Sequence, residues 1–296
     1  MKGIAMRHLT SLAAVALGTI LAIPAFGATV YNNLTPNNLM AMATRPDSGG
    51  AFEIEAADDF ILASPTTINS ASFTGLITGG GAPNIAEVIV EIYRVFPNDS
   101  DVGRTSGPAA FSTPQVPTRV NSPSDVAFVS RDSAAGQLSF STSVLSPTFT
   151  ALNSVQAGGI HPAPGQTTGG NGPVTGQEVQ LNVTFSSPLT LPADHYFFVP
   201  QVAVNSNGQF YWLSASRPIS GAGTTPLTID LQAWTRDANL DPDWLRVGTD
   251  IVGGATPPTF NAAFSLDGVA AVPEPSTWIM LSVGLLGLAS IKRRRA

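Results

Sequence analysis

The sequence predicts an all-β protein whose residues 28–270 form an antiparallel β-sandwich, jelly-roll-like, between an N-terminal signal helix and a C-terminal transmembrane helix. Three observations predict it. Short apolar and β-branched segments alternate with turn residues throughout the middle of the chain. None of them sustains the 3.6-residue apolar period of a capped helix. With 28 Gly and 24 Pro in 296 residues, turns are frequent, as short strands require. The hydrophobic share of 43% is enough for a substantial core, so a low-complexity reading does not fit.

The first element is an export signal over residues 1–27. Lys2 and Arg7 make a positive start, Leu9 to Ile23 an apolar stretch, and Pro24-Ala25-Phe26-Gly27-Ala28 a cleavage region of small residues. Cutting after Gly27 puts Ala25 at the third position before the cut, whereas cutting after Ala28 puts bulky Phe26 there. The competing reading, a retained membrane anchor, needs a longer span.

Strands follow. "INSASFTGLI" (68–77), "EVIVEIYRVF" (87–96), "EVQLNVTF" (178–185), "HYFFVPQVAV" (195–204) and "GQFYWLSA" (208–215) all read as β. In the second of these, Val88, Val90 and Ile92 share one face, while Ile89, Tyr93 and Val95 share the other. Apolar residues on both faces predict a strand buried on both sides. Asn207-Gly208 between two runs predicts a hairpin, because both residues tolerate positive φ. "PAPGQTTGGNGPVTG" (162–176) is the most linker-like stretch. It reads either as a loop of one sandwich or as a divide between two, and strands on both sides favour one domain.

The tail is the last element. Trp278 to Ile291 carries no charge over 14 residues; as a helix it would extend roughly 21 Å against a hydrocarbon thickness near 30 Å. Its seven Leu, Ile and Val residues each favour the membrane by about 0.3–0.6 kcal/mol at mid-span. Trp278 suits one interface, and Lys292, Arg293, Arg294 and Arg295 suit the other, on the cytoplasmic side, which places the body outside. Pro273 and Pro275 keep the chain extended before the helix.

Val272-Pro273-Glu274-Pro275-Ser276-Thr277-Trp278, the apolar helix and the four terminal cations together resemble the PEP-CTERM protein-sorting domain of Gram-negative bacteria, over residues 272–296. The same tail is also known as an ice-binding protein C-terminal domain, but no regular Thr-rich repeat here could build a flat ice-matching face. The resemblance implies recognition of Pro273, Glu274 and Pro275 by an exosortase, a membrane cysteine protease or transpeptidase. It also implies an inner-membrane-anchored precursor that ends in the envelope or outside the cell, where extracellular polysaccharide is made. "EIEAADDFIL" (53–62) resembles an early motif of exported proteins with such tails. Within it, Asp58 and Asp59 read as pinning a turn before a strand at 60–62, or as calcium ligands.

Composition excludes several chemistries. Between Ala28 and Ala270 there are 8 Arg, no Lys and 19 Asp plus Glu, a net charge of −11. Such a body repels nucleic-acid phosphates. Zero cysteines remove thiol nucleophiles and thiolate metal sites. No G-x-S-x-G or H-E-x-x-H occurs, and the body's histidines are His161 and His195. His195, next to Asp194, reads as a surface residue in a turn. Asp237, Asn239, Asp241 and Asp243, spaced by two, read as calcium ligands or as a solvated turn. Pro242 and Gly248 rule out an EF-hand. Phe210, Tyr211, Trp212, Trp234 and Trp244 read as core or as sugar-stacking rings.

These readings lead to an exported, non-enzymatic envelope or matrix protein that needs no cofactor, with calcium the one candidate ion. The alternative is a carbohydrate-binding module or an enzyme acting on extracellular polysaccharide.

Overall fold

A computed structural model describes residues 28–48, 50–100, 121–160, 167–205, 208–216 and 231–271. The signal segment 1–27, the tail 272–296, His161 and Asn207 lie outside the described residues. Among the described residues no helix is long and apolar enough to cross a membrane. In chain order the strands are β1 (Ala28–Asn32), β2 (Pro36–Ala43), β3 (Ile54–Leu62), β4 (Thr66–Ile77), β5 (Ile85–Arg94), β6 (Val129–Asp132), β7 (Leu138–Ala151) and β8 (Ser154–Val155). They continue with β9 (Val174–Leu191), β10 (Asp194–Val204), β11 (Phe210–Ala215), β12 (Trp234–Asp237), β13 (Leu245–Arg246), β14 (Asn261–Ala262) and β15 (Phe264–Ala270). Among the described residues the only helical pieces are a 3₁₀ turn at Ala157–Gly159 and a π turn at Val247–Val252. The protein is all-β, as its period-2 patterning predicts.

Two sheets result. One has nine strands, β1-β15-β4-β11-β2-β8 with β14 on β11 and the β7-β9 pair on the far side of β4; the other runs β13-β12-β3-β10-β5-β6. Every ladder is antiparallel except the short β2–β8 pair, which is parallel. The chain crosses between the sheets repeatedly from β2 to β14, so no cut point separates one sheet's residues from the other's. Its main core accordingly draws on residues from Met40 to Leu266. Within the linker-like stretch, residues 168–171 are held to this body: Thr168 and Gly169 donate their N–H to Ile251 O at 2.9 and 3.0 Å, and Asn171 donates to Ser154 O.

The core is aromatic. Phe198 of β10 stacks on Phe264 of β15 with centroids 5.0 Å apart, and Trp212 of β11 meets both rings edge-on at 5.9 and 5.6 Å. Such pairs join the two sheets with more geometric preference than aliphatic contact supplies. The continuous apolar run of β10 has a direct cause. Tyr196, Phe198 and Val202 face this core, while Phe197 and Val199 enter a second cluster on the other side of the same sheet. A strand covered on both faces has no polar side to show.

Three local expectations change. Gly208 does not follow a hairpin: β10 pairs with β3 and β5, so both its edges are occupied, and β11 pairs with β2, β4 and β14 in the other sheet. The reversal there is a corner between sheets. Second, β5 buries Val88, Val90 and Ile92 fully, whereas its other face is closed only at Tyr93. Third, Asp58 and Asp59 pin no local turn. They sit inside β3 and accept remote backbone amides, Asp58 Oδ2 from Ala262 N at 2.7 Å and Asp59 Oδ1 from Leu231 N at 2.9 Å.

Candidate functional site

Strand alternation gathers a set of ionisable side chains, Glu55, Asp59, Glu91 and Arg236 among them, on the outer face of the six-stranded sheet. Inward, β3 presents Ile54, Ala56, Phe60 and Leu62 to the main core. Outward, it presents Glu55, Ala57 and Asp59. The register sets Arg236 of β12 opposite Glu55, and on β5 it sets Tyr93 opposite Phe197 and Glu91 opposite Val199 of β10. Trp234, Trp244 and Leu231 close over part of this face, packing with Ala57, Tyr93, Phe197 and Val199.

Arg236, 5% exposed, is the hub. Its Nε donates to Glu55 Oε2, its Nη2 to Tyr93 OH at 2.8 Å and its Nη1 to Pro242 O at 3.3 Å, while Asp241 Oδ1 lies 2.7 Å from Nη1. The guanidinium also lies 4.3 Å from the Trp244 ring centroid and 5.3 Å from that of Tyr93. Burial alone would push its pKa down, but Glu55, Tyr93 and Asp241 overcome this and raise it. The cation is therefore permanent.

Around Tyr93 the hydrogen bonds require one more proton than the phenol supplies. Tyr93 OH is 2.9 Å from Glu55 Oε1 and 3.0 Å from Glu91 Oε2, and it also accepts the Arg236 N–H. A phenol has one hydrogen to donate. If it goes to one carboxylate, the other can bond the phenol oxygen only by bringing a proton of its own. Burial, and then the Glu55 charge, push Glu91 up to about 7, which makes Glu91 the proton holder near neutrality. Burial and Glu55 push Tyr93 far upward in turn, so it remains a phenol.

The face continues past this cluster. Gln201, 1% exposed, donates Nε2 to Glu53 Oε1 at 2.9 Å, and burial raises the Glu53 pKa, with Glu55 adding to it. At the end of the face a cavity of about 430 Å³ opens beside Arg45 and Glu87. At the opposite end His195 is buried, 7% exposed, rather than on the surface. Its Nε2 lies 2.6 Å from Asp59 Oδ2, while Asp194 pairs with Arg94 at 2.8 Å. The neighbour in sequence is thus not the imidazole's partner. The partner comes from the adjacent strand.

The four residues read as calcium ligands take separate roles. Asp237 Oδ1 accepts the backbone N–H of Asn239 and Leu240 at 2.9 and 3.0 Å, holding the turn after β12. Asp241 pairs with Arg236, and Asp243 is buried at 2% exposure. Asp237 and Asn239 also line a cavity of about 390 Å³ with Phe52, Ile160 and Leu240. Among the described residues no three His, Asp or Glu side chains stand together as a metal-binding group.

The five aromatic residues read as core or sugar-stacking rings are all buried, none more than 4% exposed. They pack the two cores and offer no face to a sugar. Sequence reasoning missed the Arg236 hub, although a signal existed. In "EIEAADD" Glu53, Glu55 and Asp59, and in "EVIVEIYR" Glu87, Glu91 and Tyr93, fall on odd-numbered positions with mostly apolar residues between them, which aims them at one side of a sheet.

The sorting residues Pro273, Glu274 and Pro275 and the anchor flanks Trp278 and Lys292 to Arg295 lie outside the described residues. The described chain leads directly to them: β15 pairs with β4 up to Ala270, and Ala271 N donates to Pro65 O at 2.7 Å. Residues 271–295 match the family model of the PEP-CTERM protein-sorting motif. The tail is a PEP-CTERM sorting motif. It begins where the last strand lets go, and it marks an exported protein processed by an exosortase. No curated protein and no solved structure matches the chain.

Proposed function

We propose that this chain is a non-enzymatic envelope or extracellular-matrix protein of a Gram-negative bacterium. Residues 1–27 carry the body across the inner membrane. Residues 272–296 then hold it there, with Lys292 to Arg295 on the cytoplasmic side, until an exosortase cuts near Pro273-Glu274-Pro275. A jelly-roll-like sandwich, residues 28–270, is left in a polysaccharide-rich exterior. The observation that carries this reading is the sorting-motif match at residues 271–295.

The mass of the mature protein from its own host tests both cuts together. An N-terminus at Ala28 and a C-terminus close to Pro273–Pro275 are expected. Replacing Pro273, Glu274 and Pro275 with alanine should leave an uncleaved, membrane-retained precursor. Unchanged processing of that variant in a host with an exosortase overturns the assignment. Deleting Trp278 to Ala296 should release the body from the membrane, and persistent membrane association would mean that something else anchors it.

A second reading, a module that binds extracellular polysaccharide, is favoured by one observation: the cavity beside Arg45 is lined by paired donors and acceptors of the kind hydroxyl groups need.

A further inference from the structure

We infer that the cavity between Arg45 and Glu87 binds a neutral sugar ring, through a guanidinium that donates to one ring hydroxyl and a carboxylate that accepts from its neighbour. The inference rests on the polysaccharide-binding reading and names its ligand class. The cavity lies at the end of the outer face, where β5 begins and β10 ends, and its volume of about 430 Å³ falls within the roughly 300–1,000 Å³ of small-molecule sites.

Arg45 is already oriented. Its Nε donates to Phe52 O at 3.0 Å and its guanidinium lies 5.0 Å from the Phe52 ring centroid. Among the described residues no carboxylate pairs with it, and its terminal nitrogens have no hydrogen-bond partner. By contrast, Arg94, Arg236 and Arg246 each pair with at least one carboxylate. A rigidly held guanidinium with open N–H groups on a cavity wall is a donor awaiting an acceptor.

The other polar lining residues are Ser48, Glu87, Asn205 and Gln209. Gln209 Nε2 is buried and has no partner among the described residues. Hydroxyl groups both donate and accept, so a sugar satisfies an arginine, a carboxylate and two amides at once. An ion satisfies only one sign. Four alanines, Ala51, Ala86, Ala134 and Ala203, make the remaining wall low and apolar, which suits the C–H face of a pyranose. Burial and the neighbouring Asp132 raise the Glu87 pKa, which weakens any preference for an ammonium and leaves hydroxyl recognition intact.

The test is titration of the full-length protein, in a detergent without a sugar headgroup, with D-glucose, D-galactose and D-mannose by saturation-transfer NMR. Sodium glucuronate, sodium acetate and glycine serve as charged probes. Binding of at least one neutral hexose is expected, weakened tenfold or more by Arg45→Gln or Glu87→Gln, as loss of a charge-assisted hydrogen bond predicts. Ala134→Trp, at an exposed turn residue on the cavity wall, should abolish binding by filling the space while leaving the melting temperature unchanged. Binding of acetate or glucuronate alone would make this an anion site and overturn the inference, as would binding of glycine alone. Absence of hexose binding, or binding indifferent to all three variants, would overturn it too. Tail processing by mass is read on the same variants. It should be unaffected by them, so failure of the sugar site and failure of the sorting assignment are told apart.

Discussion

Phe264 and Arg236 are both removed from water, one between the sheets and the other on the far side of the six-stranded sheet, yet they are held by different physics. Phe264 sits among Phe198, Trp212 and Tyr31, where any well-fitting apolar ring would lower the free energy. Arg236 is tolerable only because Glu55, Tyr93, Asp241 and Pro242 each answer one of its N–H groups or its charge. A buried ion pair is a weak source of stability and a strong source of specificity to its own partners: removing one member leaves an uncompensated charge. The first region should therefore be tolerant in chemistry and indifferent to pH, and the second demanding in both.

The sharpest way to break that contrast is truncation on each side. Phe264→Ala should cost about 3–5 kcal/mol through lost burial and an unfilled cavity, equally at pH 5 and pH 8 in urea unfolding. Arg236→Ala should cost nearly as much, about 3–5 kcal/mol, by stranding Glu55. Replacing Arg236 and Glu55 together with leucine should recover most of that loss. If the double variant is as unstable as the single one, the charged cluster is not limited by desolvation, and the comparison fails.

A smaller effect separates the two regions by pH. Burial and the Glu55 charge raise the Glu91 carboxyl from its ordinary value of 4.5 to about 7. The stabilisation tied to its proton is thus complete below about 4.5 and is lost as pH climbs through about 7. Wild type should lose about 2 kcal/mol more than Glu91→Gln between pH 5 and pH 8. Equal slopes in urea midpoint would mean that no shared proton bridges Glu91 and Tyr93. The smallest expected effect is at the turn after β12, where Asp237→Ala should cost about 1 kcal/mol by releasing two backbone N–H groups. Calcium should leave its melting temperature and that of wild type alike. A calcium-induced rise in wild type that Asp237→Ala abolishes would restore the ion-binding reading of this loop.

How far the sequence reveals all this depends on range. The strands at Ile68–Ile77 and His195–Val204 were legible because the side-chain period of two is a local property. Partners were not. His195 stands beside Asp194 in the chain but pairs with Asp59, 136 residues away, because strand register rather than adjacency decides which side chains meet. Asp58 and Asp59 misled for the same reason: two neighbouring aspartates suggest a turn, while strand geometry sends them to opposite faces and to amides from the chain's last quarter. Gly208 signalled a reversal correctly and a hairpin incorrectly, since the occupied edges of β10 are a tertiary fact. The Arg45–Glu87 cavity had no local signal, being assembled from β5, β10, the start of β11, the turn after β6 and the connection between β2 and β3. The tail was readable outright because its parts act in linear order.

One detail of the edge strand reaches beyond stability. Ala28 of β1 pairs with Gly268 of β15, and Thr29 Oγ1 donates to Asp267 Oδ1 at 2.7 Å. The backbone thus enters and leaves the folded body at one corner. Among the described residues the last amide bonded to that body, Ala271, precedes Pro273 by only two residues, about 7 Å of extended chain. An exosortase acting on the motif therefore meets the folded body within that distance. The bulk of the cargo, as much as the tripeptide, then bears on how that enzyme approaches.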